Sequence, residues 1–280
     1  MALAMFLFAA VDAQGKFLTQ SLHPIQIVWT RQLGLLAGAF VLLALRGRAL
    51  LDTGQPMAQF VRGALAATSA TLFITAVAFV PLADAVAISF VAPFIVTLMG
   101  AIFLREPVGL RRWAAVIVGF VGTLIVIRPG LGVLHPAAFL VIGAAALFSL
   151  RQILSRSLAA TDRTETTVAY TAFVGSALLT LPLPFVWRTP EWGLELALLI
   201  GMAVIAGVAE LMVIKALEIG QAVVVAPVHY SIMIWATVYG WLLFGQLPDF
   251  WTWIGAAIIV ATGIYTLNRE RLAARRAQAR

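Results

Sequence analysis

The sequence predicts an all-α polytopic membrane protein of ten transmembrane helices, arranged as two inverted five-helix repeats. Three observations carry this prediction. The 280 residues are 62% hydrophobic and 11% charged, against roughly 25% charged in a soluble domain. The charges fall in short clusters, separated by apolar stretches close to the ~20 residues that cross a bilayer. Short motifs also recur, in the same order, about half a chain length apart. A soluble fold would have to bury nearly the whole chain, so that class is excluded.

Splitting the chain at its charged and Pro/Gly clusters gives apolar segments at 2–19, 24–45, 60–80, 82–104, 112–128, 136–155, 166–187, 194–216, 222–244 and 251–268. The connections are short, leaving no room for an inserted soluble domain. The first segment ends near "VDA", which resembles a cleavage site. No Lys or Arg precedes its apolar run, as a secretory signal would need, and the repeat claims it as a permanent span.

Basic residues orient the spans. With the N-terminus in the cytoplasm, the cytoplasmic side holds Arg46, Arg48, Arg62, Arg105, Arg111, Arg112, Arg151, Arg156, Arg163, Lys215, Arg269, Arg271, Arg275, Arg276 and Arg280. The other side holds Lys16, Arg31, Arg128 and Arg188. Positive charge collects on the cytoplasmic side of membrane proteins, so both termini are expected there. Trp187, Trp192, Trp251 and Trp253 then fall at the outer interface, as an aromatic belt requires.

The repeat is read from ordered matches. "KFLTQSL" (Lys16 to Leu22) pairs with "QILSRSL" (Gln152 to Leu158), an offset of 136. "AFVPLADA" (Ala78 to Ala85) pairs with "ALEIGQA" (Ala216 to Ala222). Gly100, Glu106 and Trp113 pair with Gly240, Gln246 and Trp253 at an offset of 140, and Gly122 with Gly263. The units are 1–132 and 133–268, followed by a basic tail at 269–280. Five spans per unit invert the second copy, an architecture that recurs in secondary transporters with a midplane site between the repeats.

Other classes find little support. The net charge of +7 follows topology rather than a basic stripe with interleaved aromatics, so no nucleic-acid partner is expected. There are no cysteines, and His23, His135 and His229 are scattered without metal-ligand spacing. No GxSG or Walker motif occurs, so neither proteolysis nor ATP drive is expected, and no cofactor is implied. A membrane-embedded enzyme stays a weak alternative.

Four stretches carry a family resemblance: Arg31 early in the second span, "VPLADAVAISFVAPFIVTLMGAIFLREP" (Val80 to Pro107), "GFVGTLIVIRPG" (Gly119 to Gly130) and "ALEIGQA". The chain resembles the drug/metabolite transporter superfamily, specifically its ten-helix EamA-type members, and within them YddG-type amino-acid exporters. The resemblance implies a monomer-sized unit with a central cavity lined by spans 1, 3, 4, 6, 8 and 9. It implies export of neutral or aromatic amino acids by alternating access, with export of drugs or other small metabolites as the alternative. Gln246 departs from the repeat by replacing the carboxylate of Glu106, which is expected at the interface beside Arg105 or Arg111.

Polar groups at membrane depth mark the candidate pathway. Ser89, Pro93, Thr97 and Gly100 share one helical face of span 4. The repeat offset of 140 carries them to His229, Met233, Thr237 and Gly240 of span 9. Tyr230 and Trp235 flank that second stripe and would give an aromatic wall; Trp235 would otherwise pack within the bundle. Thr71 and Thr75 share a face of span 3, for packing or for lining. Asp12, Gln14 and Glu210 are polar groups of the cavity or of ion coupling, Glu210 having Lys215 as an alternative partner. Pro93 and Pro227 are hinge candidates. Arg31 and Lys215 are expected to snorkel, and Gly34 and Gly38 to allow close helix packing.

The native chain has no cysteine, so single cysteines report topology without background. An impermeant thiol reagent added outside cells is expected to label cysteines near Pro190 and Asp249 and to leave those near Asp52 and Thr161 untouched. The reverse pattern overturns the orientation.

Overall fold

Pro24 and Pro56 open helices, at first-turn positions where the missing N–H has no partner to lose. The His23 side chain caps the first of these helices by accepting from Ile25 N at 3.3 Å. Gly47 and Gly245, both at φ 64°, end helices in the left-handed region that glycine adopts freely. Asp249 opens the last helix by accepting from Thr252 N at 2.8 Å.

The computed structural model describes residues 1–103, 109–128, 135–159, 161–219 and 226–278. Among them, all regular structure is helical: α1 (Ala2–Leu18), α2 (Pro24–Arg46), α3 (Pro56–Val77), α4 (Leu82–Ser89), α5 (Ala92–Phe103), α6 (Leu110–Ile127), α7 (Ala138–Leu158), α8 (Thr164–Thr180), α9 (Leu183–Val186), α10 (Leu194–Ile219), α11 (Ile232–Phe244) and α12 (Phe250–Gln278). Two 3₁₀ segments, Gly47–Leu51 and Ala226–Ser231, join them. Five stretches are long and apolar enough to span a bilayer: Pro24–Leu51, Pro56–Val77, Leu82–Ile102, Ala138–Leu158 and Leu194–Ala216. Trp113–Ile127, Val228–Phe244 and Phe250–Thr266 are shorter apolar helices.

The exterior is apolar and the interior partly polar, the arrangement a bilayer imposes. Phe40, Ile102, Phe120, Ile200 and Trp241 are exposed, whereas Gln26, Gln59 and Ser149 are fully buried. Trp187, Trp192, Trp251 and Trp253 are all exposed, as residues of an interfacial belt would be.

Two packed bodies form the centre. In one, α3, α4 and α5 pack against α7, joined by Ser69 Oγ to Ala144 O at 2.8 Å and Ser149 Oγ to Ala92 O at 3.0 Å. In the other, α1 packs between α10 and α11, with the Phe6 ring 5.1 Å from Trp235 and 5.6 Å from Tyr239. The bodies touch where α4 meets α11. Lys16, buried at the end of α1, locks that end by donating to Val77 O and Val80 O, both at 2.7 Å. At the opposite end of the bundle, Asp162 accepts from Thr53 at 2.5 Å and from Gln59 at 2.6 Å. Slight burial pushes the Asp162 carboxyl up, but these bonds outweigh it and hold the group below the usual carboxylate range.

The structure corrects several sequence expectations. The span expected at 82–104 is broken: Phe90 and Val91 make only i→i−3 bonds, to Ala87 and Ile88, before α5 begins. Pro93 explains the break, since it gives no N–H to the Ser89 carbonyl and its ring crowds it. The described part of span 9 opens as 3₁₀ structure, and residues 220–225 lie outside the described set. Backbone helix continues from Phe250 to Gln278, into the basic segment that begins at 269. Arg31 does not snorkel; it pairs with Asp12 at 3.7 Å. Glu106 lies outside the described residues.

Close packing also differs from the expected Gly34–Gly38 pair. A Cβ on Gly34 would collide with the Ala203 carbonyl oxygen of α10, whereas one on Gly38 would meet nothing. Gly34→Leu is therefore expected to destabilise the purified protein by about 1–3 kcal/mol or more. Gly38→Leu should stay within about 0.5 kcal/mol of the parent. Thermal unfolding in detergent distinguishes them, and equal shifts would refute the assigned contact.

Candidate functional site

The seam between the two bodies is built at the interruptions of their helices. Pro93 ends α4 one turn early, which turns the Phe90 ring across the seam. It meets Tyr230 at 4.8 Å and His229, edge-on, at 6.3 Å. Pro227 falls in the facing 3₁₀ segment Ala226–Ser231. The structure thus brings together Ser89 and Pro93 of one body and His229 of the other, at the positions where regular helix stops.

The seam residues differ in accessibility. His229 is solvent-accessible. Ser89 is partly accessible and bonds its own helix, donating to Val86 O at 2.7 Å. Thr97 is buried and donates to Pro93 O at 3.1 Å. Met233 and Thr237 are buried in α11, and Thr237 Oγ1 has no partner among the described residues. Gln14 Oε1 of α1 and Ser231 Oγ are likewise buried without one. A buried polar atom left alone costs about 1–3 kcal/mol, so these three ask for water or solute.

Other candidates lie to the side. Trp235 meets Phe6 edge-on, which is packing within the bundle. Tyr230 reaches past Phe90 to α12, where a Cβ on Gly263 would collide with its hydroxyl. Thr71 and Thr75 satisfy themselves on α3, donating to Ala67 O at 2.9 Å and Thr71 O at 2.7 Å.

Near these elements lies a group of charges, of which Asp12 and Glu210 are candidates from the sequence and Arg62 and Arg151 are not. Asp12 of α1 pairs with Arg31 of α2. Arg62 of α3 donates from Nε to Ser155 Oγ at 2.6 Å and from Nη1 to Thr171 Oγ1 and Thr167 O. Arg151 of α7 stacks 4.8 Å over Phe148. Glu210 of α10 acts electrostatically on both Arg62 and Arg151 across the seam. Arg62 and Arg151 were counted as loop-side topology charges. They are instead six and seven residues inside their helices, hence about 9–10 Å from the ends. The available signal was helix length: α3 starts at Pro56, not near 60, and α7 runs to Leu158, not 155.

A surface cleft of about 250 Å³, lined by Arg46, Leu50, Arg163, Glu165 and Thr166, lies away from the seam. The Arg46–Glu165 ion pair at 2.6 Å accounts for its polar lining.

Cysteines at Ser89 and His229 are expected to react with a small water-soluble thiol reagent, and cysteines at the fully buried Ile88 and Ala236 are not. Uniform protection of all four would show that no watered space exists at the seam.

Comparison with known proteins supplies the family. Residues 1–128 and 135–269 match the model of the EamA-like transporter family. A riboflavin transporter of Vibrio cholerae is 31% identical over 82% of this chain and 77% of its own length. An S-adenosylmethionine uptake transporter of Rickettsia felis is 26% identical over 95% and 90%. A pseudopaline exporter of Pseudomonas aeruginosa is 29% identical over 96% and 94%. One solved crystal structure superposes with a TM-score of 0.62 at 19% identity, covering 96% of this chain and 98% of that one, a likeness of fold alone.

Proposed function

Because this chain belongs to the EamA-like transporter family, we propose that it is a secondary transporter exporting amino acids, neutral or aromatic, by alternating access. The observation that carries the reading is the seam, where two bodies meet at paired helix interruptions around partnerless polar atoms. A single packing with such a seam opens to either side if the bodies rock about it. Pro93 and Pro227 are the hinges, and His229, Ser89, Thr97, Met233 and Thr237 contact the solute, with Gln14 beside them.

Inverted repeats of 1–132 and 133–268 underlie the motion in this reading. The repeat offset relates α1 to α7, α2 to α8, α3 to α10 and α6 to α12. The packing supports it: α3 on α7 mirrors α10 on α1, and α3 on α8 mirrors α10 on α2. Ten traverses then leave both termini in the cytoplasm of a bacterial inner membrane, and one chain makes a complete unit.

A second reading, transport of a larger metabolite, is favoured by what the relatives are named for: riboflavin, S-adenosylmethionine and pseudopaline. Proteoliposome flux separates the two. Labelled phenylalanine is expected to exchange across reconstituted vesicles, to be displaced by unlabelled aromatic amino acids, and to move more slowly in Pro93→Ala and Pro227→Ala. Inhibition by riboflavin with no phenylalanine flux would replace the amino-acid reading with the second one. Normal flux in both proline variants would remove the hinges.

A further inference from the structure

Three arginines and two carboxylates converge on the seam from five helices: Asp12 on α1, Arg31 on α2, Arg62 on α3, Arg151 on α7 and Glu210 on α10. Arg31 is matched by Asp12 at 3.7 Å. Arg62 and Arg151 face one carboxylate, Glu210, carried by the opposite body. With all five ionised, the group carries one positive charge in excess. Charge held in a bundle interior is costly unless paired.

Arg62 and Arg151 differ in how they are held. Arg62 is fixed by hydroxyls, Ser155 Oγ at 2.6 Å and Thr171 Oγ1, and by the Thr167 carbonyl. Arg151 Nε is buried with no acceptor among the described residues. The residue keeps partial solvent accessibility. A planar guanidinium whose Nε lacks an acceptor, with Phe148 at 4.8 Å, matches a planar two-oxygen acceptor.

We propose that Arg151, with Arg62 beside it, docks a carboxylate of the transported solute. The proposal rests on the transporter reading and narrows its substrate class. Carboxylate is preferred to a phosphate ester on charge: one carboxylate closes the excess of one, whereas a phosphate monoester brings about −1.5 to −2 at pH 7. Arg62 preorganises the site, and Arg151 makes the contact.

The test uses the full-length protein purified in detergent and two probes of one shape, 3-phenylpropionate and its neutral isostere 3-phenylpropionamide. Binding is followed by intrinsic tryptophan fluorescence. The carboxylate is expected to bind at least about tenfold more tightly, the scale of one charge-assisted hydrogen bond. Arg151→Gln should bring the ratio near one, and Arg151→Lys should keep part of it. The wild-type ratio alone decides the matter if a variant fails to fold. Equal binding of both probes, binding of neither, or an unchanged ratio in folded Arg151→Gln overturns the proposal. Phenylalanine flux unaffected by capping as phenylalaninamide would also overturn it while leaving the transporter reading intact. Carboxylate preference without amino-acid flux would instead keep the docking site and remove the amino-acid assignment.

Discussion

Pro93 has no N–H for the Ser89 carbonyl, and its ring would crowd that carbonyl in an unbroken helix. In lipid such a carbonyl has no water to turn to, and an unmet polar group there costs several kcal/mol. The chain accommodates this by closing α4 with i→i−3 bonds at Phe90 and Val91 and restarting helix at Ala92. Much of the centre depends on that step. The Phe90 ring is swung onto His229 and Tyr230, so one interruption seats another. Broken backbone at mid-depth is tolerated where it faces protein or an aqueous cavity, and the accessible Ser89 and His229 mark where that space lies.

The two ends of the seam are held differently. At one end Lys16 gives two charge-assisted bonds to the backbone joining α3 and α4, and its ammonium lies 5.5 Å from the Phe244 ring of α11. That one side chain touches α1, the α3–α4 turn and α11, three elements of the two bodies. At the other end the described bonds run mainly inside one flank, from α3 to α7 and α8 through Arg62 and Gln59. Cross-seam attraction there is electrostatic, between Glu210 and the two arginines. A tight latch at one end and a long-range attraction at the other is an asymmetric state of a symmetric plan.

How much of this was legible depended on period and on length. Apolar runs gave the helices, because lipid-facing residues such as Phe40 and Ile102 leave no ambiguity about their surroundings. The offset of 140 set the stripe of Ser89 against that of His229, and beside them the Phe90 and Tyr230 rings meet. The stripes themselves were less telling: Thr71, Thr75 and Thr97 spend their hydroxyls on their own helices, and a helical-face argument cannot see back-bonding. Tyr230 turned outward to Gly263 because glycine on α12 leaves a slot for its hydroxyl, a fact of tertiary packing. Arg62 and Arg151 were missed because the segments 60–80 and 136–155 put them only two and four residues from an end, whereas α3 and α7 put them six and seven. A helix of the length that Pro56–Val77 reaches carries its early charges inward.

The repeat comparison hid the charged centre for a related reason. By the offset of 136 that relates α1 to α7, Arg151 corresponds to Gly15 and Asp12 to Phe148. Gly15 is a packing glycine whose added Cβ would press on Ile74 Cδ1 at 2.8 Å, so a side chain there would have to displace Ile74. What one copy uses for close contact, the other uses for charge. In the proposed inverted repeat the two copies offer equivalent packings, while the charges are placed without symmetry, Arg62 and Arg151 on one body and Glu210 on the other. Rocking in the proposed cycle therefore changes the Arg–Glu separation as well as access. A solute carboxylate at Arg151 competes with Glu210 for the same cation, which couples occupancy of the site to the distance between the bodies.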